Sequence, residues 1–262
     1  MFGLGFTFAF CMLCFINIAY KIQTSSFTRN ENLWIRSLDD GAERRLSEDG
    51  EENFGYAVPP EGCCSAVTLK REVNEAPPVL TLSPLSGRIG AHRLDERDVK
   101  QLHLLEAKTG RPELHSYRVA LPGDSVIPTY EIHIFDVENS TATQVRIDPL
   151  EAMNTSCCGL MIDTLWKDVS WGDDSEQVFF TRSVRSYDTL QLFAADTENG
   201  EARLIVEERS KTFVEANGRS GGVPNWRVTN GNSEVVWWAE RDGWGHLYLF
   251  DAVTGELKNR IT

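Results

Sequence analysis

Ser220 lies in the stretch GRSGG, Gly218 to Gly222, which fits the G-x-S-x-G pattern of an activated serine. Asp242 and His246 follow it in the order serine, acid, histidine that a triad on a parallel α/β sheet requires. In such a triad Ser220 would attack a carbonyl carbon while an imidazole took its proton. The surrounding residues oppose that chemistry. A nucleophile elbow turns from a buried strand into a helix whose amides face the oxyanion. After Ser220 comes GGVPNWRV, with two glycines, Pro224 and a β-prone run, where a helix cannot be sustained. Only 42 residues follow Ser220, fewer than the remaining strands and crossover helices need. GRSGG therefore reads as a glycine-rich connection between strands, and no catalytic residue is assigned.

The other chemistry-bearing residues also read as structural. His103 and His133 occupy alternating strand positions, and His92, His115 and His246 complete the set without any pair at metal-ligand spacing, so no metal or cofactor is expected. The acidic run SEDGEEN places Glu48, Asp49, Glu51 and Glu52 together without the calcium-loop spacing, and reads as a solvated turn. DERDV, Asp95 to Val99, and AERDGW, Ala239 to Trp244, each set an arginine between acids beside a strand, where a guanidinium fork can pin a sheet edge. Trp237, Trp238, Trp244 and Tyr248 are expected to fill the wedge between sheets. Cys63 or Cys64 could bridge to Cys157 or Cys158 in an oxidising compartment, although free thiols are the simpler reading. Asn139 and Asn154 head glycosylation triplets that matter only in a secreted chain.

Composition narrows the class. With 262 residues, 41% hydrophobic and 25% charged, the chain can bury a sizeable core. Its formal charge of −13 would repel nucleic acid phosphates, so no nucleic acid partner is expected. Residues 1–20 are apolar and uncharged in their side chains, with the length of a span or a secretory core but no basic start and no small-x-small cleavage site. A signal, an anchor and a wrongly joined start fit these residues equally. Membrane association and localisation depend on which holds.

The positioning elements are strands, and they repeat. EIHIFDVENSTATQVRI from Glu131, LQLFAADTENGEARLIV from Leu190 and LYLFDAVTGELKNRIT from Leu247 share an alternating strand, a polar turn and a second strand. Ile132, Leu190 and Leu247 are 58 and 57 residues apart. The upstream halves VSWGDDSEQVFFTRS and PNWRVTNGNSEVVWWAERDGW also correspond, and LTLSPLSGRIGAHRLDER followed by LHLLEAKTG reads as an earlier copy. NLWIRSLDDGAERRLS has a further hairpin signature, and GRPELHSYRVALPGDSVIPTY, with three prolines, reads as an extended excursion. Each unit of about four strands must stack on its neighbours to bury its faces. The expected fold is all-β: a partial β-propeller of four-stranded antiparallel blades, about four of them, the first incomplete.

WWAERDGWGHLYLFDAVTGELKNRIT resembles a blade of the dipeptidyl-peptidase-IV branch of the prolyl oligopeptidase family, which carries a Ser/Ala-Glu-Arg-Asp-Gly-Trp-x-His-Leu-Tyr motif. NLWIRSLDDGAERRLSEDGEENFGY, RLDERDVKQLHLLEA and RPELHSYRVALPGDSVIPTYEIHIFDVE are similar to consecutive pieces of the same N-terminal propeller, so the resemblance runs from about Asn32 to the end. It implies a serine-type peptidase whose propeller gates peptides toward an α/β-hydrolase domain with a Gly-Trp-Ser-Tyr-Gly-like elbow. No part of residues 21–262 carries that domain, so the chain alone is expected to be inactive, with peptide substrate reached through the hydrolase domain. Aminopeptidase-like members hold the substrate amine with an Asp-Trp-x-Tyr-Glu-Glu segment. The corresponding region here is ENFGYAVPPEG, Glu51 and Glu52 do not match the motif, and no substrate-binding residue is assigned. A stand-alone propeller that binds a peptide or protein partner is the alternative, and homodimer formation stays open.

Overall fold

The computed structural model describes residues 24–58, 78–85, 87–107, 110–151, 169–215 and 224–262, and every described regular element is a strand. Ser220, all six cysteines, Asn154 and residues 1–20 lie outside the described residues. Among those described, no helix is long and apolar enough to cross a membrane.

Four antiparallel sheets follow one another along the chain. The first contains β1 (Thr24–Arg29), β2 (Asn32–Ser37) and β3 (Glu43–Arg45) in that order. The second is built on β6 (Arg88–Asp95) and β9 (Thr129–Asp136), which pair over eight residues. Its two edges are broken strands: β4 (Phe54–Tyr56) and β5 (Leu80–Leu82) share the outer side of β6, while β10 (Thr141–Gln144) and β11 (Leu150–Glu151) share that of β9. The third sheet runs β12 (Val169–Trp171), β13 (Gln177–Ser183), β14 (Thr189–Asp196) and β15 (Ala202–Arg209). The fourth runs β16 (Trp226–Thr229), β17 (Glu234–Ala239), β18 (His246–Asp251) and β19 (Leu257–Arg260). This is the all-β architecture of propeller blades, four in number, with three described strands in the first.

One expectation is corrected. LHLLEAKTG does not continue the sheet after β6; its residues form β7 (Gln101–Glu106), which pairs with β8 (Glu113–Arg118) in a separate two-stranded ribbon. GRPELHSYRVALPGDSVIPTY is accordingly not a wholly extended excursion, since its first part is β8. The chain returns from the ribbon to place β9 directly beside β6, so LTLSPLSGRIGAHRLDER and EIHIFDVE belong to one blade. Strand alternation in β7 imitates a blade strand, but both of its faces reach solvent.

Alternation assigns each strand face to a neighbour. Leu33 and Ile35 meet Ile89, Ala91 and Phe135 between the first and second sheets. Ile132, Ile134 and Leu150 meet Val178 and Phe180 between the second and third. Phe179, Leu192 and Ala194 meet Val235, Trp237 and Tyr248 between the third and fourth. Three cores thus join four sheets, each far more stable stacked than alone.

Polar contacts fix the register of the stack. The Leu85 amide donates to Ser175 Oγ at 3.2 Å, and the Asp173 amide to Asn232 Oδ1 at 2.9 Å, so each turn entering a blade grips the corresponding turn of the next. On the outer strands, Arg44 donates to the carbonyls of Val137 and Glu138, Thr143 Oγ1 to that of Glu198 at 3.2 Å, and Arg203 to those of Ala252 and Val253. Gly200 shows how tight this approach is. Its φ is +76°, and a Cβ there would lie 2.2 Å from the Gln144 carbonyl oxygen of the preceding blade.

Candidate functional site

Asp242 and His246 flank the β17–β18 turn, but they do not form a catalytic pair. Asp242 Oδ2 accepts from Arg260 Nη1 at 2.8 Å, and that guanidinium holds its carboxyl below the usual range. His246 Nδ1 lies 3.5 Å from Thr262 Oγ1. Asp242 is therefore tied to the outer strand of its own sheet, and His246 lies beside a residue just past the end of that strand.

A cluster of titratable side chains lies where the β3–β4 connection crosses the second sheet. Tyr56 pairs with Arg93 across β4 and β6, Arg93 with Glu131 across β6 and β9, and Ala91 with His133 one step along, so all project from one face. Tyr56 Oη donates to Asp49 Oδ1 at 2.9 Å, and Arg93 Nη1 donates to Asp49 Oδ2 at 2.8 Å. The Arg93 guanidinium also lies 3.5 Å from the centre of the Phe54 ring, a cation-π contact that keeps it flat on the sheet. His133 Nε2 is 3.3 Å from Glu131 Oε2, and its ring meets Tyr56 edge-on at 5.2 Å. His92 projects from the opposite face of β6 and donates through Nε2 to the Val58 carbonyl at 2.7 Å.

The electrostatics make this cluster a clasp. Burial works to raise the Asp49 carboxyl, but the Tyr56 hydroxyl and the Arg93 charge outweigh it and hold it ionised. Burial, reinforced by Asp49, pushes the Tyr56 phenol far up, so it remains protonated. Burial lowers His92 to about 4, and it lowers His133 despite the neighbouring Glu131. Both imidazoles are neutral at pH 7. Asp49 already has its cation, leaving an arrangement that ties the connection from the first blade down onto the second sheet.

The remaining sequence candidates separate clearly. Arg97 forks onto Asp95, two residues away at the end of β6, with contacts of 3.0 and 2.7 Å, whereas Arg241 Nε reaches Glu208 of the preceding blade at 2.6 Å and so joins two blades. Glu48, Asp49, Glu51 and Glu52 are all exposed, as a solvated turn should be, and Asp49 is the member that also accepts from Tyr56 and Arg93. His103 meets Ser116 at 2.8 Å and His115 meets Glu106 at 3.0 Å, both across the ribbon. Trp237 and Tyr248 are buried between sheets, but Trp244 is 78% exposed and corrects the expectation that it fills the wedge. It falls in the turn beyond the end of β17, where no neighbouring sheet covers it. Trp238 lies half-buried on the far face of the fourth sheet, lining a cleft of about 580 Å³ with Pro224, Trp226, Val236 and Leu247. Sequence reasoning missed that cleft because Trp237 and Trp238 alternate onto opposite faces. Asn139 is exposed in the β9–β10 turn, where its amide nitrogens bond to Asp136.

The succession of strand-built blades finds its counterpart in one family. Residues 18–262 match the family model described as the dipeptidyl peptidase IV N-terminal region. The chain belongs to that family. Its fold is also that of solved structures with which it shares little sequence. A putative dipeptidyl aminopeptidase IV from Bacteroides ovatus superimposes with a TM-score of 0.61 at 16% identity, covering 90% of this chain and 28% of that one. Porphyromonas gingivalis dipeptidyl peptidase 4 gives a TM-score of 0.64 at 18% identity, covering 92% of this chain and 31% of that one. The chain thus spans about a third of the length of these dipeptidyl peptidases. The matched range takes in all four described blades and the β7–β8 ribbon, and among the described residues no nucleophile, base and acid converge.

Proposed function

We propose that this chain is the gating propeller region of a serine-type peptidase that acts on peptides through a joined hydrolase domain. The observation that carries the reading is the family match over residues 18–262, laid on four stacked blades whose polar residues are committed to holding the stack. On this reading the hydrolase domain supplies the serine nucleophile, the histidine base and the oxyanion donors for acyl transfer. The blades supply a rigid wall that admits flexible peptides and excludes folded proteins by size. Rigidity follows from the three apolar cores and the junction hydrogen bonds, since a wall that sheared between blades would lose its selectivity.

The test joins residues 24–262 to the hydrolase domain and compares kcat/KM for a short peptide with that for the same sequence displayed on a folded protein. A preference of at least about a hundredfold for the free peptide supports gating, and it should shrink when Asp49→Ala and Arg93→Ala loosen the first junction. Equal rates on both substrates would overturn it.

A further inference from the structure

A polar cleft of about 300 Å³ opens between the third and fourth sheets, where the chain leaving β15 passes the turn that follows β17. One wall carries Glu208, Thr212, Phe213 and Glu215, and the other carries Glu240 and Arg241. The two sheets that frame it face each other within the stack, so the cleft belongs to a completed blade junction. The loop on the first wall is fixed from within, because Ser210 Oγ accepts from the amides of Thr212 and Phe213 at 3.2 and 3.3 Å. Phe213 remains 52% exposed while its ring rests 5.9 Å from that of Tyr187.

The charges lining the cleft do not balance. Arg241 Nε donates to Glu208 at 2.6 Å, and its guanidinium lies over the rings of Tyr248 and Phe250 at 5.6 and 5.1 Å. Arg209, at the edge of the first wall, folds back on Glu207 with contacts of 2.7 and 3.1 Å. Both cations are therefore spent. Glu215, half-buried, and Glu240, exposed, make no side-chain hydrogen bond or ion pair among the described residues. Two unpaired carboxylates beside an exposed aromatic ring favour a cation carried on an apolar stem. A bare metal ion does not fit, since among the described residues no three His, Cys, Asp or Glu side chains converge to ligate one. A guanidinium does, because its planar fork bonds to carboxylates while its flat face covers a ring.

We propose that this cleft binds the guanidinium of an arginine side chain on a peptide, with Glu215 and Glu240 accepting from its N–H groups and Phe213 covering its stem. The volume suits one long side chain and not a folded surface. That the arginine belongs to a peptide on its way to a hydrolase domain rests on the gating reading. The binding itself uses residues of this chain alone, so failure of the gating test leaves it standing, and failure of the binding test leaves gating standing.

Saturation-transfer NMR titration of the full chain with acetyl-Ala-Arg-Ala-amide, and with its neutral citrulline counterpart, tests it. The arginine peptide should bind at least about tenfold more tightly than the citrulline peptide. Glu215→Gln combined with Glu240→Gln should weaken it by about tenfold, and Phe213→Ala by about threefold, each variant keeping the wild-type circular dichroism. Asp173→Asn combined with Asp174→Asn removes the same charge from an exposed turn at the other end of the third sheet, and should leave the affinity unchanged. Equal binding of the two peptides, equal weakening by the two double variants, or no saturation transfer at about 10 mM peptide would overturn the proposal.

Discussion

Acidification from pH 7 to pH 5 should loosen the stack chiefly through His92. This imidazole is buried at the centre of the second sheet, and burial lowers it from 6.5 to about 4. Between those values the unfolded chain binds a proton that the folded chain refuses, so stability is full above about pH 6.5 and falls as pH drops. For a single group of this kind the loss is about 2 kcal/mol at pH 5 and about 3 kcal/mol at pH 4. His133 is lowered by burial as well and adds in the same direction. Asp49, Asp95 and Asp136 are held below their ordinary 3.8, so their contribution is lost only at lower pH and leaves this window clear. Urea unfolding of the wild-type chain and His92→Gln at several pH values is the assay. The wild type should lose about 2 kcal/mol more than the variant between pH 7 and 5, whatever the variant's stability at pH 7. Parallel pH profiles would refute the assignment of a buried neutral imidazole.

Two further substitutions probe the junctions. Gly200→Ala forces a side chain into a positive φ and into the Gln144 carbonyl, and should cost about 2 kcal/mol more than Gly231→Ala, which has a similar φ of +59° but open space around it; equal losses in urea midpoint would show that the blades do not approach closely there. Arg241→Ala leaves the Glu208 carboxylate, only 12% exposed, without its guanidinium partner and should cost about 1–2 kcal/mol. Adding Glu208→Gln to Arg241→Ala should recover part of that loss, whereas strict additivity would mean the pair contributes nothing.

The repeated blades were legible because strand alternation, polar turns and the 58- and 57-residue spacing all reflect one demand, that each sheet bury both faces. The second blade was harder to read. The β7–β8 ribbon separates β6 from β9 in sequence, and its own alternation, with Leu102 and Leu104 facing one way and Leu105 the other, copies a blade strand. Local pattern carries no record of which strand lies beside which. The same limit applies to the clasp: Asp49 looks like any acid in a polar turn, and only the pairing of Tyr56 with Arg93 brings it under two donors. Trp244 misled because an aromatic residue after a core strand looks like core, although the chain has already turned into solvent. The rejection of Asp242 and His246 needed less, since a triad requires a strand-to-helix turn that the sequence around Ser220 does not encode.

The proposal to be tested is that these blades accompany a peptidase domain without supplying its nucleophile. Reaction with a fluorophosphonate probe tests it most directly, measured by peptide mapping on the chain alone and on the chain joined to its hydrolase domain. The joined protein should be labelled at a single serine of the hydrolase domain, with no adduct between residues 24 and 262, and Ser220→Ala should leave its kcat/KM within about twofold. Stoichiometric labelling of Ser220, or loss of turnover by several orders of magnitude in Ser220→Ala, would contradict the account.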